Sequence, residues 1–252
     1  GMTSKNTTDR ITHCIQARFS CLYAVTHEED RVTQEILDIA EKLNYGVWAW
    51  NNSAGLKSKG GTSIDKTNDP LAVMSAFVNH TKNSDDEPRG DPIRNKSILM
   101  LHDMHAFLRH PVPLLIRKLK EAINIGRATD RVIIIIGCEK VIPPELEKDI
   151  TVVEFNLPSR AELRASAVSM AKSAKIELDD NGEMEALVDA GSGMTISEFN
   201  DGCALAKVET GKFDAKIVQA IKSDKVKAGG LLEVVDTGVT LLQRLWTCLQ
   251  GQ

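Results

Sequence analysis

The sequence lacks a disulfide framework. Its five cysteines (Cys14, Cys21, Cys138, Cys203 and Cys248) are scattered, and none forms a C-x-x-C pair. An odd, unpaired set argues against a disulfide scaffold and a cysteine-built zinc site, and fits reduced thiols in a cytosol. A basic excess is missing as well: the formal net charge is −4, so the chain has no field of the kind that dominates nucleic-acid binders. Aromatic residues make up only 4%, few for a base-stacking platform. The most apolar run, around Val132 to Ile136, is far too short to cross a bilayer. The opening GMTSKNTTDR has no apolar signal core, and Gly1 ahead of Met2 reads as an expression remnant. What these absences leave is a cytoplasmic protein of ordinary globular composition, 42% hydrophobic and 26% charged, with neither membrane nor nucleic acid as an expected partner.

What is present is an alternation of strand and helix signals through the first two-thirds of the chain. SCLYAV (20–25) reads as a buried strand, and EEDRVTQEILDIAEKLN places Val32, Ile36, Leu37, Ile39, Ala40 and Leu43 at helical spacing. YGVWAW is a second strand, rich in aromatic and β-branched residues. Asp69 caps a helix that opens with Pro70. SILMLHD is a third strand, VPLLIRKLKEAINIG a helix ending near Gly126, RVIIIIGC a fourth strand and TVVEFNLP a fifth. Near-continuous apolar strands alternating with amphipathic helices predict an α/β fold, its parallel sheet covered on both faces. After Pro158 the strand signal ends, and four short helices follow, joined by Gly, Asp and Ser turns. The expected organisation is a leader over 1–19, an α/β core over 20–157, a small all-α lid over 158–228 and an apolar tail over 229–252.

GLKSKGGTS (55–63) nearly matches the phosphate-loop pattern G-x-x-x-x-G-K-[ST]: Gly55, Gly60 and Thr62 fall in register, but Gly61 stands where the lysine belongs. A working phosphate loop joins a central strand to a helix start, so that backbone N–H groups surround the phosphates. This stretch follows the second strand, and SIDKTN separates it from the next helix, so it is expected to be a mobile glycine-rich loop. The proper place, after the first strand, reads Thr26, His27, Glu28, Glu29, Asp30, with Arg31 opening the helix. Three consecutive carboxylates suit a helix N-terminus and repel a triphosphate. The turn also lacks the glycine and lysine that a phosphate loop uses. The apolar strand ending at Asp103 has the Walker B arrangement, in which an aspartate holds magnesium, but Met104 stands where hydrolytic relatives carry a glutamate. No carboxylate cluster completes a metal site around His102, His105 and His110, so these read as surface or capping histidines and no metal is expected. Cys138 reads as a buried thiol without a base, and no G-x-S-x-G elbow occurs.

Several stretches taken together resemble one family. They are the first strand with its T-x-E-E-x-R, the tryptophan ending the second strand, ILMLHDMHAFL, IRKLKEA, VIIIIG with IPPELEKDITVVEFNLPSRAEL, and GMTISEFNDGCALAKVETGKFD. From about Ser20 to about Val235 the chain resembles the N-terminal, P-loop-degenerate module of AAA+ proteins of the chloroplast-open-reading-frame type. The resemblance implies a core of five parallel strands in the order 5-1-4-3-2, arranged as a three-layer sandwich, with a small helical lid. It implies no activity for this module. Carried over by position, Glu28, Glu29 and Arg31 fill the lost phosphate-loop turn beside Thr26, Asp103 fills the Walker B position, and Arg160 follows the Leu157-Pro158 entry to the lid. Family members carry a second module, with intact Walker motifs, beyond the point where GGLLEVVDTGV stands here. A chain stopping at Gln252 is therefore either a piece of a longer protein or a single module.

The function expected is that of a non-catalytic AAA+-like module. It would work through protein contacts or self-association, or as a regulatory or assembly partner of an active AAA+ module, and would need no cofactor. Arg117, Arg127 and Arg131 are candidates for an arginine reaching a neighbour's nucleotide. Leu242, Leu245, Trp246 and Leu249 in the apolar tail are candidates for a contact surface. The alternative is a nucleotide-binding ATPase, with ATP and Mg as cofactors. Its non-standard phosphate loop, Gly55, Gly60, Gly61 and Thr62 with Lys57 and Lys59, would have to fold over the end of the first strand.

Overall fold

A computed structural model of the protein describes residues 4–79, 93–179, 182–222 and 224. The chain divides into two compact units, 1–156 and 157–252. The first unit opens with α1 (Ser4–Gln16), β1 (Cys21–Val25), α2 (Glu29–Leu43) and β2 (Gly46–Asn51), and continues with β3 (Gly55–Ser58), β4 (Ser63–Ile64) and α3 (Pro70–Asn79). It closes with β5 (Ser97–His102), α4 (His105–Leu108), α5 (Pro113–Thr129), β6 (Arg131–Gly137) and β7 (Thr151–Glu154).

One sheet runs in the order β4-β3-β2-β5-β6-β1-β7. Its five parallel strands, numbered among themselves along the chain, stand in the order 5-1-4-3-2 when read from β7. The long apolar runs are explained by burial on both faces. Leu22, Ala24, Ile134 and Ile136 pack with Ile11 and Ile15 of α1 and Val32, Ile36 and Ile39 of α2. Tyr23, Leu99, Leu101, Ile133 and Ile135 pack on the opposite face with Val73 and Phe77 of α3 and Leu115 and Leu119 of α5. Trp50 is fully buried there, meets Phe107 edge-on at 6.2 Å, and donates from its ring N–H to the Thr67 carbonyl at 2.6 Å. The α3 cap forms as its sequence predicts, the Asp69 carboxylate accepting from the Leu71 N–H at 2.7 Å.

Two stretches differ from their sequence reading. Residues 4–16, expected to be a leader, form α1, and Ile11 and Ile15 are fully buried against the sheet. Its apolar positions are few among polar ones, which hid the helical period. The expected mobile loop at 55–63 is instead a hairpin: β3 pairs antiparallel with β2 and β4 pairs with β3. Thr67 holds it, its hydroxyl accepting from the Leu56 N–H at 2.8 Å and donating to the Ile64 carbonyl at 2.6 Å. Gly55 sits at φ +72, a conformation that L side chains rarely adopt, and a Cβ there would crowd the Thr67 hydroxyl at 3.0 Å.

The second unit contains α6 (Arg160–Ala174), α7 (Glu183–Gly191) and α8 (Ile196–Thr210), and residues 215–222 are also helical. Its core is Leu163, Ala167, Leu187, Phe199, Cys203 and Val218. The α8 start is a reciprocal capping box between Thr195 and Glu198. Gly191 is required by packing, since a Cβ would fall 2.6 Å from the Phe199 ring. Arg160 bridges α6 to α7 through Glu185 at 2.8 Å and Asp189 at 2.5 Å. The tail residues Leu242, Leu245, Trp246 and Leu249 lie outside the described residues.

Candidate functional site

In a parallel α/β sheet, ligands are bound at the carboxyl ends of the strands, where helix N-termini also point. At that end only Thr26, His27 and Glu28 separate β1 from α2, which begins at Glu29. A phosphate loop needs the whole G-x-x-x-x-G stretch between strand and helix. Here the turn is closed on itself instead: the Glu28 N–H donates to the Thr26 hydroxyl at 2.9 Å, and the Thr26 N–H donates to the Gly137 carbonyl at 2.9 Å. Thr26 is only 5% exposed, so its hydroxyl serves the turn itself.

Charges from this turn are paired within the fold. The Glu28 carboxylate accepts from Arg31 at 2.6 Å, and Arg31 also faces Glu35 at 3.7 Å. Glu35 accepts in turn from the Thr8 hydroxyl of α1 at 2.9 Å. Glu29, in the first turn of α2, stands 2.5 Å from Nδ1 of His102, an approach too oblique to be a hydrogen bond. His102 is the last residue of β5 and is nine-tenths buried. A histidine therefore occupies the strand end, facing the first turn of the helix after β1. His102, read in the sequence as a surface or capping histidine, is buried instead; its place in the last pair of the β5–β6 register was the usable signal.

Asp103 lies one residue past the strand, is exposed and has φ +60. Its backbone N–H donates to the Ile136 carbonyl at 3.1 Å, and its own carbonyl accepts from Ala106 at 3.2 Å. Met104 is fully buried in the core and does not look out at the site. His105 lies against Gly137, where a Cβ would fall 2.7 Å from its Nδ1. The Tyr23 hydroxyl fixes the connection after β6, donating to the Glu139 carbonyl at 2.6 Å and accepting from the Val141 N–H at 3.2 Å. Glu139 also forms a forked ion pair with Arg109, which holds its carboxyl below the usual range. Cys138, expected to be a buried thiol, is exposed because the chain leaves the sheet at Gly137. Among the described residues, no group of three or more His, Cys, Asp or Glu is placed to hold a metal ion. No described helix is long and apolar enough to cross a membrane.

The remaining candidates are placed apart. The Gly60-Gly61 turn follows Ser58, which pairs with Trp48, and the Lys59 N–H donates to Val47, so this turn sits at the amino end of β2. β2, β5 and β6 separate the hairpin from β1. Gly60, Gly61 and Thr62 thus lie at the other end of the sheet from the β1–α2 turn, and Gly55, opposite Asn51 at the carboxyl end of β2, is separated from β1 by the same three strands. Arg131 cannot reach a neighbour. It is fully buried, its guanidinium 4.1 Å from the centre of the Phe77 ring and donating to the Phe77 carbonyl at 2.9 Å and the Ile93 carbonyl at 3.3 Å. Burial pushes its pKa down to about 10. Arg117 and Arg127 are exposed on α5.

The 5-1-4-3-2 core with a separate helical unit defines the AAA+ class of P-loop NTPase folds. A chain of the E. coli MS115-1 HORMA:CdnC:Trip13 complex shares the fold, with TM-score 0.57 and 11% identity over 86% of each chain. The Thermotoga maritima RuvB Holliday junction branch migration motor does so with TM-score 0.52 and 14% identity, covering 87% of this chain and 68% of its own. Within that class the chain belongs to the family described as the SpoVK-like AAA ATPase N-terminal domain, matched over residues 7–155. The match begins inside α1, so that helix is part of the family's domain. Curated relatives are the uncharacterized AAA domain-containing proteins ycf46 of Trieres chinensis, 27% identical over 192 residues, and of Guillardia theta, 24% identical over 195 residues. The chain spans about a third of these relatives: 76% of it covers 36% of the first, and 77% covers 35% of the second.

Proposed function

We propose that this domain is a non-catalytic AAA+ module with a degenerate Walker A loop, acting through protein contacts rather than through ATP turnover. The observation that carries this reading is the β1–α2 turn: three residues long, closed by Thr26, and flanked by the Glu28–Arg31 pair and the Glu29–His102 contact. The residues present do not fit a triphosphate with magnesium. The phosphate position carries carboxylates, which the α2 dipole stabilises and which repel an anion. β5 ends in a buried histidine, Asp103 follows one residue beyond it in a left-handed turn, and Met104 has no proton to exchange and no exposure. What remains useful is the AAA+ fold itself, which suits an assembly or regulatory partner of an active module.

Sedimentation velocity with and without ATP and Mg, alongside a steady-state hydrolysis assay, tests the proposal. The reading expects no turnover and an unchanged mass distribution. Association that appears only with ATP and Mg would overturn it.

A further inference from the structure

At the opposite end of the sheet from the vacated phosphate position, a groove of about 810 Å³ opens beside the amino ends of β1 and β7. Three cations from three separate segments line it: Arg18 after α1, Arg127 in the last turn of α5, and Lys148 on the approach to β7. All three are exposed, and Asp149 is the one carboxylate among the lining residues. The dipole of α5 accounts for Arg127. It does not account for Lys148, which lies in a loop beyond the short helical turn Pro144–Leu146. Ser20 also lines the groove. It is 3% exposed, and its hydroxyl has no hydrogen-bond partner among the described residues, a cost that a native fold rarely leaves standing. Asn124 supplies a further amide, and the Phe19 ring is 41% exposed at the same place. Cys21, also in the lining, is no nucleophile: burial first, then the Asp149 charge, pushes its thiol up to about 12.

We propose that this groove binds a small phosphate-bearing ligand, with Arg18, Arg127 and Lys148 around the phosphate and Phe19 against a less polar part. A cluster of guanidinium and ammonium groups is the usual protein answer to phosphate, and a concavity of this size suits a small molecule. The same chemistry is present in a nucleic-acid backbone, but the chain's net charge of −4 favours the small ligand. The site is independent of the β1–α2 turn, so a ligand here leaves the proposed function untouched.

Amide shift mapping on the full chain, titrated with inorganic pyrophosphate, a sugar phosphate and a short single-stranded oligonucleotide, tests the assignment. Saturable shifts at Arg18, Asn124 and Lys148 with the two small probes are expected, with the turn at Glu28 and Glu29 unmoved. The double variant Arg127→Glu, Lys148→Glu should weaken binding by about tenfold or more. Should that variant fail to fold, the exposed single substitutions Arg18→Ala and Lys148→Ala each give a smaller loss in the same direction. Absence of shifts in the groove, or binding indifferent to all these substitutions, would overturn the proposal. So would tighter binding of the oligonucleotide than of either small probe.

Discussion

Arg131 and Tyr45 show how surroundings, which sequence does not print, decide what a side chain does. An arginine next to a helix end reads as a solvated cation or a reaching finger, yet Arg131 turns inward and ties the Phe77 and Ile93 carbonyls to β6. Substituting Arg131→Leu leaves both buried carbonyls without that donor, at about 1–2 kcal/mol each. Urea unfolding should show a loss of about 2–4 kcal/mol, whereas Arg117→Ala should stay within about 0.5 kcal/mol. Tyr45 donates its hydroxyl proton to Asp130 at 2.7 Å, and burial, then that carboxylate, raises its pKa from 10.0 to about 12. The folded state therefore holds this proton more tightly than the unfolded state does. The stabilisation is complete below pH 10 and disappears as pH rises towards 12. Melting temperature should fall across that window in the native protein, and Tyr45→Phe should flatten that part of the curve.

Among the elements, those with a strong period were legible and those defined by packing were not. β6 and β5 were plain because a strand buried on both faces is apolar throughout, and α2 because Val32, Ile36 and Ile39 keep one face. α1 was missed because only a narrow stripe of it is buried. The hairpin was missed because its glycines suggested a phosphate loop, while the pairing that forms it depends on Trp48 and Trp50 of β2. Gly126 could be read as a helix end, but α5 runs on to Thr129 because the glycine lets the helix lie against β6. A Cβ at Gly126 would come within 2.6 Å of the Arg131 carbonyl, which is backbone and cannot swing away. Gly126→Ala should therefore destabilise the first unit by about 1–3 kcal/mol despite its better helix propensity. In the second unit, Thr195→Ala removes the acceptor for the Glu198 N–H and should cost about 1 kcal/mol, read in the melting of that unit.

For the whole molecule, alternation of strands and helices was enough to give the fold class, and the strand order came with the family resemblance. The site was legible in part. The carboxylates after β1 could be seen in the sequence, but that Arg31 pairs with one and His102 faces the other depends on where β5 ends beside α2. The central claim is that this end of the sheet has given up its nucleotide. The most direct measurement is a calorimetric titration of the chain with ATP and Mg, repeated on His102→Ala and Asp103→Ala. The account predicts no magnesium-dependent binding in the native protein, and any weak heat present should be the same in both variants. Magnesium-dependent binding that either substitution abolishes would contradict it.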